Sequence, residues 1–226
     1  MFTGPNIVTD GLILHLDAAN VKSYPETGTA WNDLSGNNNH GELVNGPTYD
    51  SANGGSIVFD GIGDFFTFPD LVFTDEPYTI EIYGKLTGPI NTDNRRSIFC
   101  DGSGVGEFSN PFTFFTTAYI DGIRTFSNLN FSTAGSIVVD QVFHWVFTMD
   151  ETGLVMMYFN GKPINSPLTG LTGGTTITTL YRRFGTRSGD SRPYNGNLYY
   201  SRFYNKVLTN GEVLQNYNAT KSRFGL

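Results

Sequence analysis

Tyr181, Arg182, Arg187, Arg192 and Tyr194 crowd one Gly- and Ser-containing stretch near the end of the chain. A flat phenol ring beside guanidinium donors is what a sugar site needs. The ring covers apolar C–H groups and the donors fix hydroxyls. A protein interface draws on the same residue types, and a solvated loop is the third reading. Hydrolysis finds less to work with. Asp75-Glu76 and Asp150-Glu151 fall at turns, and Glu81 stands alone on its segment. Cys100, the single cysteine, has no histidine near it, and His15, His40 and His144 occupy unrelated contexts. No nucleophile–base pair is spelled out locally. His144, beside Trp145, reads as a strand residue rather than a base. Gly102-Ser103-Gly104-Val105-Gly106 is glycine-rich, but no Lys-Ser/Thr follows, which argues against a phosphate loop. No Cys/His spacing fits zinc.

The elements that must position these residues are extended. Leu12, Leu14 and Leu16 alternate with His15 and Asp17. Tyr78 to Leu86 alternates with Tyr78, Ile80, Ile82 and Leu86 facing in and Thr79, Glu81, Tyr83 and Lys85 facing out. Further strands are expected at Gly55–Gly61, Phe65–Phe68, Ser97–Cys100 and Phe112–Phe115, and from Ile123, Ile137, His144, Leu154, Ile177 and Asn197. Asn160-Gly161 is a two-residue hairpin signal. The Asn- and Gly-rich stretch from Trp31 to Gly41 reads as an ordered loop of tight turns. One helix is expected near the end. Thr209 and Glu212 have capping-box spacing, and Val213, Leu214 and Tyr217 share a helical face. No linker or repeat interrupts this pattern. The expectation is one domain over residues 1–226, with 1–10 as an N-terminal arm. Its fold class is all-β: an antiparallel two-sheet jelly-roll sandwich with a short C-terminal helix.

The composition agrees. Of 226 residues, 15% are aromatic and only 15% charged, with 27 glycines, as in a loop-rich β protein whose rings fill the core. One cysteine allows no intrachain disulfide. A net charge of −7 argues against a nucleic-acid binder. The charge is uneven. Residues 181–226 hold eight basic and two acidic side chains, a net of +6, and residues 1–180 hold six and nineteen, a net of −13. That split is either solvated loops or complementary faces that steer assembly. No secretion signal or membrane span is read at the N-terminus or elsewhere.

Trp31–Gly41, Ile57–Gly61, Tyr78–Ile82, His144–Met149, Met157–Gly161, Tyr194–Leu198 and Val207–Leu214 together resemble the laminin-G-like jelly roll of the concanavalin A-like lectin/glucanase superfamily. The resemblance runs from about Gly11 to Gly225. It implies a fold that binds through rim loops. Glucanases on this fold carry a Glu-x-Asp-x-(x)-Glu strand, which puts two working carboxylates on one face. The chain lacks that run, so no catalysis is expected. The resemblance also implies calcium (Ca2+) near one rim, where six to eight oxygens are needed. Asp101, Glu107, Asn110 and Asp190 are the candidate ligands, although loop lengths depart from the family's. Asp33 with Asn37–Asn39 is a further acidic-amide loop. The competing reading is Asx-type turns that satisfy their own backbone.

Gly11–Asn20 and Val213–Lys221 are similar to segments of tailed-bacteriophage virion proteins. This implies a non-catalytic virion module of capsid decoration, head or tail fibre, made in a host cytoplasm. Its expected partners are other virion proteins, itself as a homo-oligomer, or a host-surface glycan, with no nucleic acid and no membrane. The alternative is a carbohydrate-binding lectin domain without an assembly role.

Overall fold

The computed structural model describes residues 5–69, 77–87, 96–101, 114–117, 122–125, 138–152, 154–164, 182–185 and 193–226, with the backbone alone over 96–101, 114–117, 122–125 and 182–183. The strands are β1 (Leu12–Asp17), β2 (Ala30–Trp31), β3 (Gly41–Val44), β4 (Thr48–Asp50) and β5 (Ser56–Asp60). They continue with β6 (Phe65–Thr67), β7 (Tyr78–Leu86), β8 (Arg96–Asp101), β9 (Phe114–Thr117) and β10 (Gly122–Thr125). The last are β11 (Val142–Met149), β12 (Val155–Phe159), β13 (Lys162–Pro163), β14 (Arg182–Phe184) and β15 (Asn195–Tyr204), followed by α1 (Asn210–Thr220) and a 3-10 turn, Lys221–Phe224.

Two antiparallel sheets form. One has the order β13-β12-β11-β7-β15-β5-β4, and the other β10-β9-β8-β14-β6-β3-β2. β1 joins the first sheet by pairing with Leu12-to-Asp17 register against Tyr204-to-Tyr200, on the stretch of β15 beyond its contact with β5. This is the jelly-roll sandwich that the alternation pointed to.

The space between the sheets is sealed by rings. Trp31 meets Phe66 at 5.3 Å, Phe66 stacks on Phe184 at 5.3 Å, and Phe184 meets Phe59 at 5.3 Å. Leu14, Leu16, Ile57, Trp145 and Leu198 close the same cluster and are fully buried. Each such side chain removed from water contributes roughly 1.5–3 kcal/mol. Local signals hold where chain geometry demands them. Asn160 (φ 49°) and Gly161 (φ 76°) form the tight hairpin between β12 and β13. Gly196 (φ 148°) is obligatory, because a Cβ there would run into the Lys85 carbonyl.

The outer face of the first sheet departs from expectation. Thr79, Glu81 and Tyr83 do point away from the sandwich core, yet each is 0% exposed. α1 and the 3-10 turn lie over them as a third layer. The helix is capped as expected: Thr209 Oγ1 accepts from Glu212 N, and Glu212 Oε2 accepts from Thr209 N at 2.8 Å. Its buried side chains are Val213 and Asn216, whereas Leu214 is 45% exposed. Val213 and Tyr217 pack inward as expected, whereas Leu214 does not, because the layer beneath is in part polar and selects the Asn216 amide. A register shift between Leu198 and Tyr200 lets β15 send both Tyr199 and Tyr200 to this outer face, where Phe224 stacks on Tyr83 at 4.5 Å.

Candidate functional site

Of the sequence-predicted ligand residues, Arg182, Asp101 and Tyr194 are described. Arg182 opens β14 and pairs with Asp101 at the end of β8, while Phe184 pairs with Phe99. One residue of the Tyr/Arg set and one of the calcium set therefore stand opposite each other, both described through their backbone alone. The chain leaves β14 at its other end, past Gly185, and returns at Pro193-Tyr194. β14 is paired on both flanks, with β8 and β6. A strand thus divides Arg182 from Tyr194. Tyr181, Arg187 and Arg192, with Glu107, Asn110 and Asp190, lie outside the described residues.

Tyr194 is a correction. It is 0% exposed, so its ring is not a platform for a sugar or a partner. The ring packs against Phe184 at 5.1 Å and Phe59 at 5.8 Å. Its hydroxyl lies 3.2 Å from the carbonyl oxygens of both Lys85 and Asn197, and burial pushes the phenol's pKa up. Its backbone N–H donates to Gly185 O, so Tyr194 staples the two ends of the 186–192 segment to the core. A signal for this existed. Residues 194, 196 and 198 share parity on an extended chain, and Leu198 faces the core.

Asp33, Asp150 and Asp60 are occupied by backbone N–H groups and nearby hydroxyls. Asp33 Oδ1 accepts from His15 N and Ser35 N, both at 2.8 Å, and its Oδ2 accepts from Ser35 Oγ and Asn39 N. Asp150 Oδ1 takes Thr152 N, Thr152 Oγ1 and Leu154 N. Asp60 Oδ1 takes Ile62 N at 2.7 Å. These are Asx-type turns. Among the described residues, no group of three or more His, Cys, Asp or Glu side chains is placed to hold a metal ion.

One constellation escaped the sequence reading. Beneath α1, Glu81 Oε1 accepts from Arg202 Nη1 at 3.1 Å, Tyr200 OH at 3.1 Å and His144 Nε2 at 3.0 Å. Glu81 Oε2 accepts from Asn216 Nδ2 at 2.7 Å. With Glu81 ionised, His144 Nε2 carries the hydrogen. Burial alone would raise the Glu81 pKa. The Arg202 charge and the His144 and Asn216 hydrogen bonds outweigh it and hold the group down at about 2. Arg202 also lies over the Tyr200 ring at 3.9 Å. The cluster has the residue types of a catalytic site, but Glu81 and His144 are 0% exposed. A substrate does not reach them in this fold, so the group fastens the helix to the sheet.

Residues 60–214, more than half the chain, match a laminin G family described as the Concanavalin A-like lectin/glucanases superfamily. The chain belongs to that superfamily. No curated protein sequence matches it. Solved structures resemble it in fold. A Trypanosoma rangeli sialidase superimposes with TM-score 0.69 at 16% identity, covering 94% of this chain and 33% of the sialidase. The binding domain of Paraclostridial Mosquitocidal Protein 1 gives TM-score 0.69 at 15% identity, over 93% of this chain and 52% of that one. Domain 4 of an extracellular arabinanase from Geobacillus stearothermophilus, solved with arabinotriose, gives TM-score 0.59 at 19% identity, over 91% and 97%. The superfamily member described here thus spans about a third of the sialidases' length and nearly the whole of the arabinanase domain. None of its described helices is long and apolar enough to cross a membrane.

Proposed function

We propose that the chain is a non-catalytic carbohydrate-binding module whose rim loops contact a glycan. The observation that carries this is the arabinanase domain: a unit of nearly the same extent, with the same fold, was solved holding arabinotriose. The state of the described carboxylates supports the non-catalytic half. Glu81 is sealed under the helix, and Asp33, Asp60 and Asp150 cap their own turns. Retaining or inverting hydrolysis needs two reachable carboxyl groups across a bound sugar. Arabino-oligosaccharides and sialylated glycans titrated calorimetrically, with and without chelator, are expected to bind saturably and remain uncleaved. Absence of binding across a broad glycan array defeats the reading, and loss of binding with chelator supports calcium at the Asp101 rim.

A second reading places this module on a tailed-phage particle as a self-assembling or partner-binding virion protein. The +6 and −13 charge segments favour it. Val8, just before the first phage-like segment, donates its N–H to Asn216 in the second at 2.8 Å. Light scattering at low and high salt is expected to show a salt-sensitive oligomer under this reading. A strict monomer that binds no virion protein overturns it.

A further inference from the structure

The layer beneath the C-terminal helix is balanced in charge and crowded with polar atoms that have no partner. Glu81 and Arg202 neutralise one another there, and the Glu81 carboxylate already accepts four hydrogen bonds. Buried around it without a hydrogen-bond partner are His15 Nε2, Tyr83 OH, His144 Nδ1 and Arg202 Nε. Natural interiors rarely leave such atoms unpaired, and a cluster of them on one face calls for a physical reason.

We infer that His15 is the acid sensor of a clasp: a proton on its imidazole releases the C-terminal helix from the outer face of the sheet. His15 stands directly across the β1–β15 ladder from Arg202. A proton on its ring therefore sets a second cation against a buried guanidinium. The carboxylates around it already accept hydrogen bonds from other groups. Glu81 serves Arg202, Tyr200, His144 and Asn216. Asp17, on the same strand, holds Arg223 at 2.9 Å, and Asp33 accepts from the His15 backbone N–H and from its own loop. His15 is half-buried as a residue, with its Nε2 shut from water. Desolvation first, and Arg202 second, outweigh the pull of Asp17, Glu81 and Asp33 and keep the imidazole neutral, with its pKa lowered to about 3.

The helix is the element able to yield. It buries only Val213 and Asn216 completely. It meets this layer through Asn216 on Glu81 and Tyr204, Thr220 on Tyr200 and the Tyr217 ring beside His144, while Arg223 of the following 3-10 turn holds Asp17. The sheet is held independently by the ring core on its other side. Lifting the helix lets water reach Arg202 and the new imidazolium, which removes the penalty.

The direction follows from linkage. A base whose pKa is depressed in the docked state leaves docking at full strength above its ordinary value of 6.5, and weakens it as pH falls from there toward 3. Hydrogen exchange on the full chain tests this. Amides of Val213–Thr220, corrected for intrinsic rates and referred to those of Ile80–Ile82, are expected to open up to about 30-fold more at pH 5 than at pH 7.5. His15→Gln is expected to flatten that rise, with His15→Leu as the second variant. Imidazole NMR on the unaltered chain is expected to show His15 protonating in step with helix opening. The inference is overturned if helix protection stays constant relative to the core down to pH 4. It is equally overturned if His15→Gln keeps the whole rise, or if His15 protonates with the helix still docked.

Discussion

The two faces of the eight-stranded sheet are both buried around its central strands, and they are buried by opposite chemistries. The inner face meets the second sheet through Trp31, Phe59, Phe66 and Phe184. The outer face meets α1 through Glu81, His144, Arg202, Tyr200 and Asn216. Ring packing is non-directional and tolerates shifts of register or volume. A buried carboxylate is not tolerant, because each of its lone pairs must find a donor or the desolvation cost stands unrelieved. The difference teaches that the apolar interface builds the sandwich, whereas the polar one fixes where the helix sits on it.

The contrast breaks most sharply at Glu81. Glu81→Ala removes the shared acceptor of Arg202, Tyr200, His144 and Asn216, leaves the buried Arg202 charge uncompensated, and is expected to lower stability by about 3–5 kcal/mol in urea denaturation. Glu81→Leu with Arg202→Leu is expected to recover most of that loss. Simple addition of the two single costs shows that the pair is not coupled. Acid sharpens the same point. With a folded pKa near 2 against an ordinary 4.5, Glu81 contributes stability that is complete above pH 4.5 and drains as pH falls toward 2. The Ala variant is expected to lose that part of the acid dependence.

Tyr194 tests the apolar side. Tyr194→Phe keeps the ring among Phe59 and Phe184 and removes the hydroxyl that meets Lys85 O and Asn197 O. Thermal or chemical denaturation is expected to register a loss of about 1 kcal/mol with glycan affinity unchanged. Affinity lost at unchanged stability returns Tyr194 to a binding surface. The smallest effect is local. Thr209→Ala removes the cap from Glu212 N and is expected to cost about 1 kcal/mol, read as lower helix protection with the core unmoved. An equal loss in the core shows that helix and sandwich are one cooperative unit.

Legibility followed the same divide. The alternation of Tyr78, Ile80, Ile82 and Leu86 against the other parity of β7 was readable, as were the Asn160-Gly161 hairpin and the Thr209–Glu212 cap. Each depends on residues a few positions apart. Glu81 read as an outward residue because nothing near it in sequence announces Arg202 or Asn216, which lie 121 and 135 residues away. Leu214 read as a packing residue and Asn216 did not, since helical periodicity rewards apolar side chains and says nothing of a polar layer waiting opposite. Tyr194 was misread from the polar company it keeps in sequence, although its parity with Leu198 pointed inward.

What the amino-acid sequence determined alone is the sandwich: period-two alternation, turn residues and abundant rings admit few other ways to bury apolar surface. The tertiary structure decided which polar residues are hidden and which loops leave from the same end of a strand pair. Those outcomes depend on partners brought from distant parts of the chain, and on how completely water is shut out between them. No local pattern encodes either.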